Sequence, residues 1–219
     1  MSDVQVHTFV ARGFEQNAYV VWPADGTAAV AIDPGGQAAA MADAIRDAGR
    51  TLEAILLTHA HIDHVEGVPE LVRRTGAPVH MHAADAPLYA RAADQAIMFG
   101  MKPLMLPPVD RELAHQQRLD LADMSFEVRH VPGHSPGHVV FIVASAGIAF
   151  VGDVVFRASI GRTDLPGGDF AQLVGGIRRH IFSLPDETTL YPGHGPPTSV
   201  GHERATNPFL IPHHGGGLA

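Results

Sequence analysis

Short apolar stretches separated by turn residues organise the chain. VQVHTFV alternates, NAYVVWP runs almost wholly apolar after a turn, and AVAIDPGG ends a third stretch in a Pro-Gly break. Alternation, apolar runs and close turns predict strands joined as an initial β-meander. The pattern then changes. From Gln37 to Ala48 the residues QAAAMADAIRDA are strong helix formers. They close at Gly49, a residue type that tolerates the left-handed backbone just past a helix end, so a helix is predicted there. A strand over Leu52 to Leu57 follows, and strand and helix patterns alternate through VPELVRRTG, PVHMH and AADAPLYARAAD. QAIMFGMKPLMLPPVDREL carries three prolines and three methionines and is predicted as a long loop. Beyond it FEVRHV, HVVFIVA and IAFVGD read as strands, FAQLVGGIRRHIF as a helix and TTLYPGH as a last strand. No repeat, linker or compositional break marks a second domain, so a single domain over 1–212 is predicted, with 213–219 as a flexible, frayed tail.

Composition narrows the classes. At 219 residues and 46% hydrophobic, the chain can bury a sizeable core. Its formal net charge of −8 argues against nucleic acid and anionic membrane as partners, because both need a basic face. A small-molecule partner is expected instead, and no oligomeric state is implied. Cysteine is absent, which removes disulfides, thiolate ligands and a cysteine nucleophile together, so any metal must sit on nitrogen and oxygen. The start MSDVQVHTFV lacks a basic then apolar leader, and no later run approaches the roughly 18 apolar residues of a spanning helix. A cytoplasmic location is the expectation.

The stretch LTHAHIDHVEG, Leu57 to Gly67, places His59, His61, Asp63 and His64 within six positions behind an apolar strand. On a helix, His59 and His61 would diverge by about 200°. A loop lets them converge, so the cluster is predicted on a loop, with His59 and His61 on one ion and Asp63 and His64 facing another. Burying such side chains uncompensated costs several kcal/mol each. A pair of ions needs further ligands, and three candidates each follow an apolar strand and a glycine: His134 after Gly133, Asp153 after Gly152 and His194 after Gly193. In this company Asp153 reads as a carboxylate between two ions. The remaining ten histidines, including His80, His82, His130, His138 and the tail pair His213 and His214, are assigned structural or surface roles.

The segments THAHIDH, PGHSPGH, FVGD and YPGHG resemble the successive metal motifs of the metallo-β-lactamase superfamily across nearly the whole chain. The resemblance implies an α+β fold, an αββα sandwich of two mixed β-sheets with helices on the outer faces and the site along one edge. It implies His59, His61 and His134 on a first metal, and Asp63, His64 and His194 on a second. Asp153 would bridge the two, Asp63 and Asp153 being the catalytic carboxylates. The true β-lactamases lack that bridging carboxylate. IGRTDLPGGD and ERATNPFL look like the short hydroxyacylglutathione hydrolases, the glyoxalase II-like group, while GRTD also resembles persulfide dioxygenases. Glyoxalase II proper continues into a helical glutathione-holding domain, for which this sequence is expected to be too short. Arg162 matches the family's basic residue after the bridging aspartate, and Pro196 stands where an aromatic is usual.

The expected cofactors are two divalent ions, zinc first, with iron or manganese as alternatives. Ions about 3.5 to 4 Å apart activate a shared water and polarise a carbonyl. Thioesters suit such a site because a thiolate whose thiol pKa is near 8.5 leaves with little proton help. The expected activity is hydrolysis of S-D-lactoylglutathione or a related acyl thioester by a metal-bridging hydroxide. The alternative is a mononuclear iron persulfide dioxygenase acting on glutathione persulfide through His59, His134 and Asp153. Phosphodiesterase or nuclease chemistry is disfavoured by the acidic balance. Arg162 is a candidate clamp for a substrate carboxylate, and Asp33, ending AVAID, a candidate acceptor that orients a ligand histidine. The Met98 to Met105 loop is a candidate lining of the substrate mouth, or packing filler.

Overall fold

The computed structural model describes residues 3–211, so the predicted frayed tail, His213 and His214 included, lies outside the described residues. The first sheet follows chain order: β1 (Val4–Val10), β2 (Asn17–Pro23), β3 (Ala28–Ile32), β4 (Thr51–Leu56), β5 (Val79–His82) and β6 (Arg111–Leu113). β1 to β3 form the predicted antiparallel meander, and each later strand runs parallel to its predecessor. Parallel neighbours need crossovers. These hold α1 (Ala38–Asp47), α2 (Ile62–Val65), α3 (Val68–Thr75), α4 (Ala86–Ala90) and α5 (Ala92–Met98).

The second sheet is built from β7 (Arg118–Leu121), β8 (Met124–His130), β9 (Val139–Val143) and β10 (Ile148–Gly152). A small ribbon of β11 (Val155–Phe156) and β12 (Ser159–Ile160) and helix α6 (Phe170–Gly176) follow. Then come β13 (Thr189–Pro192), β14 (Thr198–Ser199) and α7 (Val200–Thr206). The spatial order β14-β13-β10-β9-β8-β7 is antiparallel except where β10 meets β13.

The sheets face each other across Tyr19, Val21, Ile32 and Leu56 on one side and Phe126, Phe141 and Phe150 on the other. Each fully buried phenylalanine contributes roughly 1.5–3 kcal/mol. Outside the first sheet, Met41, Ile45 and Leu71 of the helices cover Val20, Trp22 and Ile55. Outside the second, Leu173, Ile177 and Val200 cover Val140, Ile142 and Ala149. The result is the expected αββα sandwich. Strands covered on both faces explain why all seven residues of NAYVVWP are buried.

Three elements differ from expectation. The supposed loop at 95–113 begins as the end of α5 and finishes as β6, leaving 99–110 irregular. Ala96 buried in the core and Gln95 bonded to neighbouring backbone extend the helix that far. The β7–β8 hairpin has no glycine in its two-residue turn, since Ala122 (φ 48) and Asp123 (φ 58) both take the left-handed conformation, so its usual sequence signal is missing. The helix at FAQLVGGIRRHIF changes after Gly176 into a π-helical turn, Ile177–Ile181. Among the described residues no helix is long and apolar enough to cross a membrane.

Candidate metal centre

Chain exits from β3, β4, β8, β10 and β13 meet at one edge of the sandwich and deliver Asp33, His59, His134, Asp153 and His194 there. The cluster after β4 is only partly a loop. His61 is extended at the cap of α2, while Asp63 and His64 lie on that single helical turn, held by buried Ile62 and Val65. The loop expectation therefore holds for His59 and His61 and is corrected for Asp63 and His64. A turn of helix turns Asp63 and His64 towards His194, with His194 Nε2 3.1 Å from the Asp63 carboxylate and His64 Nε2 3.7 Å from it.

Two triads result, His59 with His61 and His134, and Asp63 with His64 and His194, the ligand atoms of each lying within 4.8 Å of one another. Asp153 stands between them. One of its oxygens lies 3.3 Å from His64 Nε2, and the other lies 3.5 Å from His134 Nε2 and 3.7 Å from His194 Nε2. Gly152 makes this approach possible, since it is left-handed (φ 47) and a Cβ there would run into the Thr58 hydroxyl and the His138 ring.

Asp33, itself left-handed (φ 49), fixes two of the rings. It accepts from the Thr58 N–H at 2.7 Å and from the Thr58 hydroxyl at 2.6 Å. That hydroxyl has spent its one proton, so it accepts from His59 Nδ1 at 3.0 Å. His64 Nδ1 donates to the same Asp33 oxygen at 3.0 Å. Both rings therefore turn Nε2 rather than Nδ1 towards the centre. His134 Nδ1 donates to the Arg162 carbonyl at 2.8 Å, which frees its Nε2 likewise. Asp33 also groups with His59 and His64 as a third ligand-like set. Its carboxylate is already engaged by three donors, so it supports the rings rather than forming a separate site.

Burial holds His59 well below the usual histidine range, helped by facing His64 and His138. Burial and His134 bring His61 down to about 4. For Asp153 burial acts upwards, yet the facing His64, His134 and His194 outweigh it and hold the carboxyl well below its ordinary value. His64 is the mirror case, where Asp63, Asp153 and Asp33 overcome burial and raise it.

These residues fit metal ions. His59 Nε2, His64 Nε2 and an Asp153 oxygen are buried with no hydrogen-bond partner among the described residues. His61 Nδ1 and His134 Nε2 face each other at 2.8 Å. Buried polar atoms usually find a partner, so unpartnered imidazole and carboxylate atoms that converge on one place mark a metal-binding His/Asp cluster.

The seven expected ligands and Asp33 thus come together. Arg162 is different. Its guanidinium forms a two-pronged pair with Asp164 at 2.7 Å, both side chains exposed, and it is the backbone carbonyl that touches the site. Sequence reasoning also passed over two residues. His138, assigned a structural or surface role, is fully buried against His59, with ring centroids 4.7 Å apart, and its Nε2 accepts from the Asp153 N–H at 3.0 Å. Its spacing from His134 in PGHSPGH was the available signal. Asp85, fully buried, accepts from the Ala60 N–H, the Ser135 hydroxyl and the Gly137 N–H, tying the His59–His61 loop to the His134 loop. In AADAPLYA it reads as an ordinary helix-start residue.

Residues 11–194 match the metallo-β-lactamase superfamily. The chain is 37% identical over 214 residues to hydroxyacylglutathione hydrolase GloC of Haemophilus influenzae, covering 94% of this chain and 98% of that protein. It is similar to TTHA1623, whose crystal structure is of a di-iron-bound form, at 43% identity and TM-score 0.85 over 94% of this chain and 100% of that one. BLEG-1 B3 metallo-β-lactamase is 36% identical with TM-score 0.86, over 95% and 100% of the two chains.

Proposed function

The chain belongs to the metallo-β-lactamase superfamily, and on that premise we propose that it is a binuclear metal-dependent thioester hydrolase acting on S-D-lactoylglutathione or a related acyl thioester. The observation that carries this reading is Asp153, whose two oxygens reach towards both triads. His59, His61 and His134 would hold one ion, and Asp63, His64 and His194 the other, with Asp153 shared. The di-iron form of TTHA1623 supports a centre of two ions and keeps iron beside zinc as the metal. The similarity to GloC supports a hydroxyacylglutathione as substrate.

Bound divalent ions supply Lewis acidity that makes a water nucleophilic near neutral pH and polarises a carbonyl. The protein's part is orientation. Asp33 and Thr58 keep the Nδ1 protons of His59 and His64 away from the centre, the Arg162 carbonyl does so for His134, and His138 steadies the backbone of Asp153. Asp63 and Asp153 are held below the ordinary carboxylate range, so both would offset the positive charge of ions held there. No general acid is required for a thiolate leaving group with a thiol pKa near 8.5.

The test is a metal count on purified protein combined with a thioester panel. About two metals per chain with thioester turnover is the expected result. One iron per chain with oxygen uptake on glutathione persulfide would overturn it in favour of a dioxygenase.

A further inference from the structure

Two segments that steady the centre also carry an apolar rim beside it. The first is the β1–β2 connection. Gln16 bridges to His194, the Asn17 N–H donates to the Gly193 carbonyl at 2.7 Å, and the Asn17 side chain donates to the Pro192 and Gly195 carbonyls. This connection is therefore pinned to the turn that delivers His194. Gly13 (φ 105) and Glu15 (φ 54) take left-handed conformations on either side of Phe14, which is half-buried at the tip. The second is the end of α5. Gln95 donates to the Ala60 carbonyl at 3.2 Å and accepts from the Ile62 N–H at 3.1 Å, gripping the residues on both sides of His61. Just beyond it come Ile97, Met98 and Phe99, exposed by 58%, 81% and 60%.

The two segments meet where Phe14 and Phe99 pack edge to face, their ring centroids 5.2 Å apart. Met105, 85% exposed, also lines a cavity of about 310 Å³ together with Tyr89, Leu104 and Ala92 and Ala93 of α5. Large side chains left in water on adjoining segments mark a surface that is covered in use. This one is tied by hydrogen bonds to the segments that carry His61 and His194, which sets it next to the centre. Ile97, Met98 and Phe99 present no charge there.

We infer that the acyl group cleaved here is an apolar chain of medium length, seated on the Phe14–Phe99 rim with its carbonyl at the centre. The inference rests on the thioesterase reading and deepens it. Hydrolysis breaks the C–S bond and forms a C–O bond, with water supplying the oxygen to the fatty carboxylate and a proton to the thiol. The polar thiol half is left outside the rim.

The probes are S-methyl, S-butyl and S-octyl glutathione, thioethers that cannot be cleaved, titrated calorimetrically into the metal-loaded protein. Full burial of a methylene is worth about four-fold in affinity, and a half-covered rim about two-fold. Affinity should therefore climb about two-fold per added methylene, and Phe99→Gln and Met98→Gln should each flatten the climb. Flat affinity across the series, no binding of the octyl form, or a climb that both substitutions leave intact overturns the inference. Acetyl-, butyryl- and octanoyl-glutathione form the kinetic arm, and kcat/KM should rise in the same order. A climbing thioether series without any thioester turnover would sink the hydrolase reading and leave the rim standing. Equal turnover of all three with a flat thioether series would do the reverse.

Discussion

Histidines gather at two places in this molecule, and their surroundings differ. At the sandwich edge His59, His61, His64, His134 and His194 converge with Asp63 and Asp153. Around the end of β8, His82 at the end of β5 stacks on His130 at 4.1 Å, the His130 N–H donates to His115 Nδ1 at 3.1 Å, and His115 lies 4.9 Å from His180. His115, His130 and His180 line a cleft of about 920 Å³ with Arg129 and Arg179. Its one carboxylate, Glu127, is engaged by Arg129 at 2.7 Å. Among the described residues, groups able to hold a metal occur only around the first cluster. Histidine number does not separate the two regions. What separates them is a carboxylate behind the rings that fixes which nitrogen is bare, and carboxylates in front that offset the charge of a cation.

Breaking the first region at Asp153 should have the largest effect. Asp153→Ala is expected to lose bound metal and on the order of a thousand-fold or more in turnover with the fold retained, checked by metal analysis, kinetics and circular dichroism. Full activity with unchanged metal content would remove Asp153 from the centre. Asp33→Asn sharpens the comparison, because it keeps the shape but weakens the acceptor that orients His59 and His64. A loss of about 10- to 100-fold in metal affinity is expected, read by competition with a chelator.

The smallest effect should come from the second region. His82→Ala removes a stacked ring worth about 1 kcal/mol of stability at neutral pH and leaves metal content unchanged. Burial and the facing His130 lower the His82 pKa. The unfolded chain therefore takes up that proton more readily, and the stability is lost as pH falls below about 6.5 towards the lowered folded value. Denaturation midpoints of wild type and variant should draw together between pH 7 and 5. Loss of metal in His82→Ala would show that the two regions are not separate.

Much of this was legible in the chain. The meander and the doubly covered strands followed from alternation and from apolar runs such as NAYVVWP, and the ligands sat behind apolar strands and, in three cases, a glycine. The unreadable parts share a cause, which is that their signal lies in another segment. The Ala122–Asp123 turn looks unlike a hairpin because its strain is held elsewhere, the Ala122 N–H donating to Glu53 at 2.6 Å. Asp85 becomes important only where Ala60, Ser135 and Gly137 arrive around it. Arg162 was expected to act through its side chain, whereas the neighbouring Asp164 engages that side chain and leaves the backbone carbonyl to the site.

The residues of the two triads come from both sheets, in an order set by position along the chain. During synthesis His59, His61, Asp63 and His64 emerge first, the first triad is whole only once His134 has appeared, and the second waits for His194. A nascent or truncated chain that stops before β13 therefore has at most one of the two triads complete, and a chain that carries both is one whose synthesis has passed His194.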